Sequence, residues 1–308
     1  MSSAFQCNPA LHRRDGQTCL PSGALHRLRK TWNKTHPRHK IQVDKTRKNG
    51  KQDAGKTNDI QLWNELKSAM STHYKCDTEY CMVKKLPGLP ESEKKGLLGF
   101  FRTEKPTEWD KKPTEWLDSD NIEQVMNQYE AANKNFSFIG PVPIDFDAKE
   151  PSSGAWGQCI INELCNLNLK DCLKKGKTQT GIIFNLDKHD EPGSHWVCAF
   201  IDLDKSAAYY FDSYGYEPPA EIVTLLKRCK DQGCKNIYYN DIRHQRKGSE
   251  CGMYCLFVLI CLLNGKDFLK ICKDVIDDDT MNSFRNVIFA EEKVSQATLE
   301  KAKKTLCL

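Results

Sequence analysis

At 308 residues, with 39% hydrophobic and 28% charged side chains, the chain has the composition of a soluble globular protein and excludes a disordered or fibrous one. Its longest apolar run, Cys251 to Leu263, is too short to span a bilayer, and no charged segment followed by an apolar stretch opens the chain as a secretory signal would, so no membrane association is expected. The net charge of +5 is unevenly placed: residues 1–57 hold thirteen Lys/Arg against Asp15, Asp44 and Asp53, a net of +10, which leaves −5 for the remainder.

In chain order, the first predicted element is a short helix from Ser22 to Trp32. The polar, basic, aperiodic stretch from His36 to Thr57 reads as a mobile loop or linker. Together they form a basic N-terminal arm that favours polyanions, either nucleic acid or an acidic protein surface, unless it is simply a solvated basic segment. Ile60, Leu62, Trp63, Leu66 and Met70 recur at helical spacing and predict a helix from Asn58 to His73. The Pro/Gly/Lys-rich stretch from Lys84 to Lys112 follows, and KPTEW occurs at Lys105–Trp109 and again at Lys112–Trp116. Two copies are too few for a solenoid.

From Trp116 the texture changes. Ser119 is placed to cap a helix running to Asn133, with Ile122, Val125, Met126 and Tyr129 on one face. Three β-rich runs come next, Gly181–Leu186, His195–Asp202 and Ala207–Asp212. Pro218 and Pro219 open a helix through Lys230, Asn236–Asn240 forms a further strand, Cys251–Asn264 an apolar helix, and two or three amphipathic helices finish the chain. Strands mixed with separate helices predict an α+β fold. The expected division is a basic, mostly helical extension over 1–112 and a catalytic domain over 113–308.

Fifteen cysteines in a small secreted protein would read as a disulfide framework. This chain is large and the count is odd, so most are expected as reduced thiols of a cytosolic protein. The pairs Cys7/Cys19 and Cys76/Cys81 lack the short Cys-x2-Cys spacing of zinc knuckles, and no metal or cofactor is expected.

The chemistry concentrates in DIRHQRKGSECGMYC, Asp241 to Cys255. Cys251 stands between a polar loop and Gly252 at the start of the apolar helix, where the helix dipole favours thiolate over thiol. Thiolate is the nucleophilic form; the bland alternative is one more core cysteine, as Cys255 and Cys261 are read. A base must come from His189, His195 or His244. A hairpin centred between Leu203 and Asp204 sets His195 directly opposite Asp212, where a carboxylate fixes the imidazole tautomer, and gives only His195 a carboxylate partner. A slip of one residue would destroy that pairing and leave a surface salt pair. Gln245, six residues before Cys251, is placed to donate to an oxyanion together with the Cys251 backbone N–H, or is a solvated loop side chain. Trp196 either walls the substrate channel, with Gly252 beside the nucleophile, or belongs to the core.

The order GSHWV (Gly193–Val197), YYFDSYG (Tyr209–Gly215) and Q-x5-C-G (Gln245–Gly252) resembles the catalytic signature of SUMO- and ubiquitin-like-protein-specific proteases and adenovirus-type endopeptidases. WLDSDNIEQVM, Trp116 to Met126, looks like the helix that opens such domains. IRHQRKGSECG and FNLDKHDEPGSHWV are closer still to the polyprotein proteases of African swine fever virus and giant DNA viruses. Over roughly residues 113–290 the resemblance implies a small mixed sheet flanked by helices. It implies His195, Asp212, Cys251 and Gln245 as catalytic residues and cleavage after Gly-Gly-containing sites in a protein or polyprotein substrate. For a viral enzyme it also implies residence in the host cytoplasm, at the viral factory, and in the virion. The swine fever enzymes carry Asn where this chain has Asp212, which sets this site nearer the SUMO-protease form.

Papain-type enzymes place Cys before His, against the order here, and chymotrypsin-like viral cysteine proteases are all-β, against the helix after Cys251. Three readings remain: polyprotein maturation, removal of SUMO or ubiquitin from conjugates, and a nucleic-acid-binding virion protein on an inactive protease domain.

Overall fold

In the computed structural model, residues 4–11, 18–42, 54–149 and 158–306 are described. The chain divides into two compact units, Met1–Pro106 with Asn286–Lys301, and Thr107–Arg285 with Ala302–Leu308.

The first unit is helical. It opens with α1 (Ser22–Thr35), α2 (Ala54–Tyr74), α3 (Glu79–Lys85) and α4 (Glu91–Leu98). Leu25, Leu28 and Trp32 fall on one face of α1 and join Leu62, Trp63, Leu66 and Met70 of α2 and Tyr80, Met82 and Val83 of α3 in a single apolar cluster. One face of α1, within the expected basic arm, is therefore core, with Arg27, Lys30 and Lys34 exposed on the outer face. Residues 36–42 are not a free linker either: the Asn33 side chain accepts from Ile41 N at 2.7 Å and donates to Ile41 O at 3.0 Å, and the Trp32 indole donates to His39 O at 2.7 Å. Residues 43–53 of that stretch lie outside the described residues.

Local polar groups explain α3, which forms in a segment with no predicted element. Thr78 caps it by accepting from Cys81 N, and the buried Glu79 carboxylate accepts from Cys19 N at 2.7 Å. Disulfides join Cys7 to Cys19 and Cys76 to Cys81, with Cα–Cα distances of 5.1 and 5.6 Å, and a third joins Cys159 to Cys165 in the other unit. Most of the described cysteines, eight of fourteen, form no disulfide, as expected; the six that pair were not foreseen, because chain spacing does not reveal which Cα atoms the fold brings together. The eight free cysteines of the described residues all belong to the second unit. The two KPTEW copies adopt different environments: Trp109 is buried, whereas Trp116 is exposed.

The second unit contains α5 (Ser119–Ala132), β1 (Phe136–Pro143), α6 (Asn162–Cys165), α7 (Leu169–Lys174), β2 (Gln179–Asn185), β3 (Trp196–Asp202), β4 (Ala207–Phe211), α8 (Ala220–Asp231), β5 (Asn236–Tyr239), α9 (Cys251–Leu263), α10 (Phe268–Lys273) and α11 (Asp278–Ser283). Two helices follow, α12 (Arg285–Ile288) and α13 (Gln296–Leu306). The strands form one mixed sheet in the order β1-β2-β3-β4-β5, antiparallel at the centre, with β1 and β5 parallel to their neighbours. The expected α+β class with a small mixed sheet is borne out.

Strand β1 had no sequence prediction because Pro141 and Pro143 interrupt it. It lies at the sheet edge with an irregular register between Ile139 and Val142, the setting in which a strand tolerates proline. The cap of α5 is Asp118 rather than Ser119; its carboxylate accepts from Asn121 N at 2.7 Å while the Asn121 side chain accepts from Asp118 N.

One sheet face, with Val197, Ala199, Ile201, Ala208 and Tyr210, packs with Ile222, Leu225, Leu226 and Cys229 of α8. Helix α9 packs on β3 and α5, and every residue from Cys251 to Leu262 is buried. A helix apolar all round has to be enclosed by the core. No helix among the described residues is long and apolar enough to cross a membrane.

If α1 is core, Trp32→Ala should destabilise the first unit by about 3–5 kcal/mol, the usual cost of emptying a large aromatic site. Chemical denaturation followed through the first unit's tryptophans checks this. A loss near zero would return α1 to the status of a loose arm.

Candidate active site

The hairpin between β3 and β4 turns through residues 203–206. Asp202 pairs with Ala207 and Cys198 with Phe211, two residues away from the symmetric register expected. Asp202 Oδ1 accepts from Lys205 N at 3.1 Å and Ser206 takes φ +50°, which lengthens the turn. Extending the observed register puts Val197 opposite Asp212, so His195 is a diagonal neighbour. A displacement by two preserves the side-chain face, and diagonal positions about 7–8 Å apart remain within reach of an imidazole. The contact forms: His195 Nε2 lies 2.8 Å from Asp212 Oδ1.

The Asp212 carboxylate is itself fixed. Oδ1 also accepts from Tyr214 N at 2.8 Å, and the buried Asn240 amide donates to Asp212 O. Gly215, at φ +75°, lets this turn approach the loop before Cys251; a Cβ there would lie 2.8 Å from Ile242 C and 2.9 Å from Arg243 N.

Cys251, the first residue of α9, is buried, and it lies close enough to the His195 imidazole to help raise its pKa. Since Nε2 is turned to Asp212, Nδ1 is the ring nitrogen left for the sulfur. Burial depresses the His195 pKa, but the hydrogen bonds to Asp212 and Cys251 and the charges of both outweigh it, and the pKa is raised to about 9. The structure thus brings His195, Asp212 and Cys251 together.

Gln245 is fully buried, against the reading of a solvated loop side chain. Its Oε1 accepts from Ser213 Oγ at 2.6 Å, its Nε2 donates to Lys247 O at 2.7 Å, and its backbone N–H donates to Ser213 O at 2.8 Å. It is thereby joined to the residue next to Asp212. Trp196 donates its indole N–H to Leu117 O at 2.9 Å. A Cβ on Gly252 would lie 3.1 Å from Leu117 Cβ and 3.3 Å from Trp196 Cδ1, so the indole comes against the backbone that follows Cys251. Trp196 also lines a cavity of about 370 Å³ with Pro141, Val142, Pro143 and His189.

The other histidines stand elsewhere. His244 is buried, donates Nε2–H to Cys272 O at 2.9 Å and has its pKa lowered by burial. His189 has a carboxylate partner of its own, Asp145 at 2.7 Å, which corrects the expectation that only His195 has one. That pair joins segments 44 residues apart, beyond what a hairpin register reveals. Among the described residues no group of three or more His, Cys, Asp or Glu is arranged to hold a metal ion.

A model of the Ulp1 protease family, C-terminal catalytic domain, matches residues 180–297. A thiol protease of Acanthamoeba polyphaga mimivirus is 30% identical over 298 residues, 93% of either chain. The chain belongs to the Ulp1 protease family. It is a thiol protease. The cysteine protease of African swine fever virus, Tick/Malawi isolate, is 33% identical over 117 residues, 35% of this chain and 43% of that one. The crystal structure of the African swine fever virus protease aligns over 96% of this chain and 98% of its own with a TM-score of 0.61 at 21% identity, a likeness of fold.

Two parts of this Ulp1-family site escaped the sequence reading. Tyr214 stacks on the His195 ring with centroids 4.7 Å apart, and the Arg243 guanidinium lies over the Tyr214 ring, 5.2 Å from its centroid. The FDSYG motif contains this residue, and a position two after a carboxylate that orients a base was the available signal. Asp278, buried at the start of α11, accepts from Arg246 N and Lys247 N at 2.9 and 3.1 Å and so holds the loop that leads to Cys251. Nothing in an exposed-looking DDD run marks it.

The sign of the His195 shift sets a pH window. Its folded pKa lies above the ordinary 6.5, so the stability it contributes is fully present below about 6.5 and is lost as pH rises through about 9. The stability advantage of the parent over a His195→Ala variant should shrink across that window in urea titrations at fixed ionic strength. An advantage that grows with pH would show that the imidazole is held neutral.

Proposed function

We propose that the chain is a cysteine endopeptidase that cuts protein chains after Gly-Gly-type sites, with polyprotein precursors of a viral particle as its substrates, acting in the host cytoplasm and the virion. What carries the reading is one imidazole held 2.8 Å from the Asp212 carboxylate, with the buried Cys251 close enough to help raise its pKa. Held as imidazolium by the carboxylate, His195 is the counter-ion of a Cys251 thiolate and the acid for the leaving amine. The sulfur attacks the scissile carbonyl carbon, the C–N bond breaks with the proton from His195, and the thioester is hydrolysed by a water that His195 deprotonates.

Gln245 takes the oxyanion role. Ser213 fixes its Oε1 and Lys247 O takes one of its amide hydrogens, which leaves the second for the substrate oxygen beside the Cys251 N–H. Trp196 and Gly252 form the substrate passage: with the indole against the helix backbone, residues without side chains pass most easily. Several swine fever relatives are named SUMO-1 cysteine proteases, which keeps removal of ubiquitin-like modifiers as the alternative, because such modifiers also end in a Gly-rich tail. Partner contacts with nucleic acid or an acidic protein are assigned to the exposed basic face of α1, and retention on either that does not weaken with salt would remove them.

Cys251→Ala should abolish cleavage of a Gly-Gly-X peptide while the melting curve stays near the parent's. Gln245→Ala should lower kcat by about 10² to 10³ with little change in KM. Matched assays on precursor peptides and on intact SUMO or ubiquitin conjugates separate the two substrates. Activity in Cys251→Ala would end this reading.

A further inference from the structure

The residue before the nucleophile carries a buried charge that the thiol chemistry above leaves unused. The Glu250 and Arg285 side chains are 2% and 3% exposed and form a forked ion pair. Arg285 Nε reaches Glu250 Oε2 at 3.1 Å, and Nη2 reaches both carboxylate oxygens at 3.0 Å. Asn282 Nδ2 and Ser249 Oγ add donors to Oε1 at 2.9 and 3.1 Å. The guanidinium lies over the Trp109 ring, 4.5 Å from its centroid, and the Asn282 amide also donates to Pro113 O at 2.8 Å.

Stability is a poor explanation for this arrangement. Removing two charges from water costs more than the pair returns in many proteins, and an apolar pair of similar volume often serves the fold as well or better. Location explains it better. Glu250 is the cap residue of α9, its carbonyl accepts from Tyr254 N at 2.9 Å, and Cys251 follows it. Burial lowers the Arg285 pKa, against the charges of Glu250 and Cys251 and the hydrogen bonds to Glu250, which raise it. The chain enters this unit at Thr107, leaves it after Arg285 and returns at Ala302, so the groups that grip Glu250 sit close in sequence to the first two of these three crossings.

We propose that Glu250 and Arg285 are positioning residues for the nucleophile: the pair fixes the backbone from which Cys251 projects, keeps a cation on the residue that precedes it, and ties that backbone to the start and end of the 107–285 segment. The proposal rests on Cys251 being the nucleophile.

The test uses the full chain with Glu250→Gln/Arg285→Met, which removes both charges at nearly constant volume and leaves no buried charge unpaired. Two quantities are read, the rate of Cys251 alkylation by iodoacetamide against pH, located by peptide mass, and kcat and KM on a Gly-Gly-X peptide. A folded double variant should have its alkylation profile moved to higher pH by about one unit or more, and a kcat at least ~10-fold lower at nearly unchanged KM, a loss confined to the transition state. A purely structural pair would leave both parental in the folded variant, and that result overturns the proposal. Should the double variant not fold, Arg285→Lys keeps the charge without the fork, and parental kcat there also overturns it. Alkylation reads the thiol whether or not a peptide is cleaved. A parent that alkylates readily at Cys251 but cleaves nothing contradicts the protease assignment of that residue, not the pair.

Discussion

The catalytic unit is organised by the need to bury α9. Twelve consecutive residues from Cys251 have no polar face, so the helix must run through the centre of the unit, against β3 and α5. Its N-terminus then emerges at the end of the sheet where β3 begins and β4 stops. Cys251 is placed there by burial of the twelve residues beginning with it. The surrounding groups serve to hold that end: Asp278 grips the approach loop, Glu250 and Arg285 grip the cap, and Trp196 and Leu117 close over Gly252.

His195 reaches the same place by a different constraint. In β3 and β4 a register error of one residue would reverse the faces, whereas the actual difference of two leaves His195 and Asp212 on a common side. The chain needs only correct parity and one long side chain to close the contact. Tyr214 then limits rotation of the imidazole by stacking on it, and its backbone N–H fixes the same carboxylate oxygen that His195 meets. Raising the imidazole pKa to about 9 against the opposing effect of burial is the chemical result.

This explains which features were readable in the amino-acid order. Alternation along His195–Asp202, the apolar run after Cys251 and the motif spacing are local signals, and they led to the sheet centre, α9 and the three groups that meet. Strand β1 was hidden because prolines are tolerated only at an edge, a property of the sheet and not of the segment. Glu250 and Arg285 lie 35 residues apart among other charges, and as isolated letters they resemble solvated surface. The N-terminal unit misled for a related reason: its positive charge dominates the composition, while Leu25, Leu28 and Trp32, three residues in a basic helix, determine that it packs.

Mapping a covalent adduct tests the central claim most directly. A short peptide ending in Gly-Gly with an electrophilic trap in place of the scissile carbonyl should modify the parent once, and peptide mass should locate the adduct on Cys251. Asp212→Ala should slow that reaction strongly without moving the adduct. An adduct on another cysteine, or an unchanged rate in Asp212→Ala, would contradict the account, because the thiol that reacts would then not be the one that α9 presents to the His195–Asp212 pair.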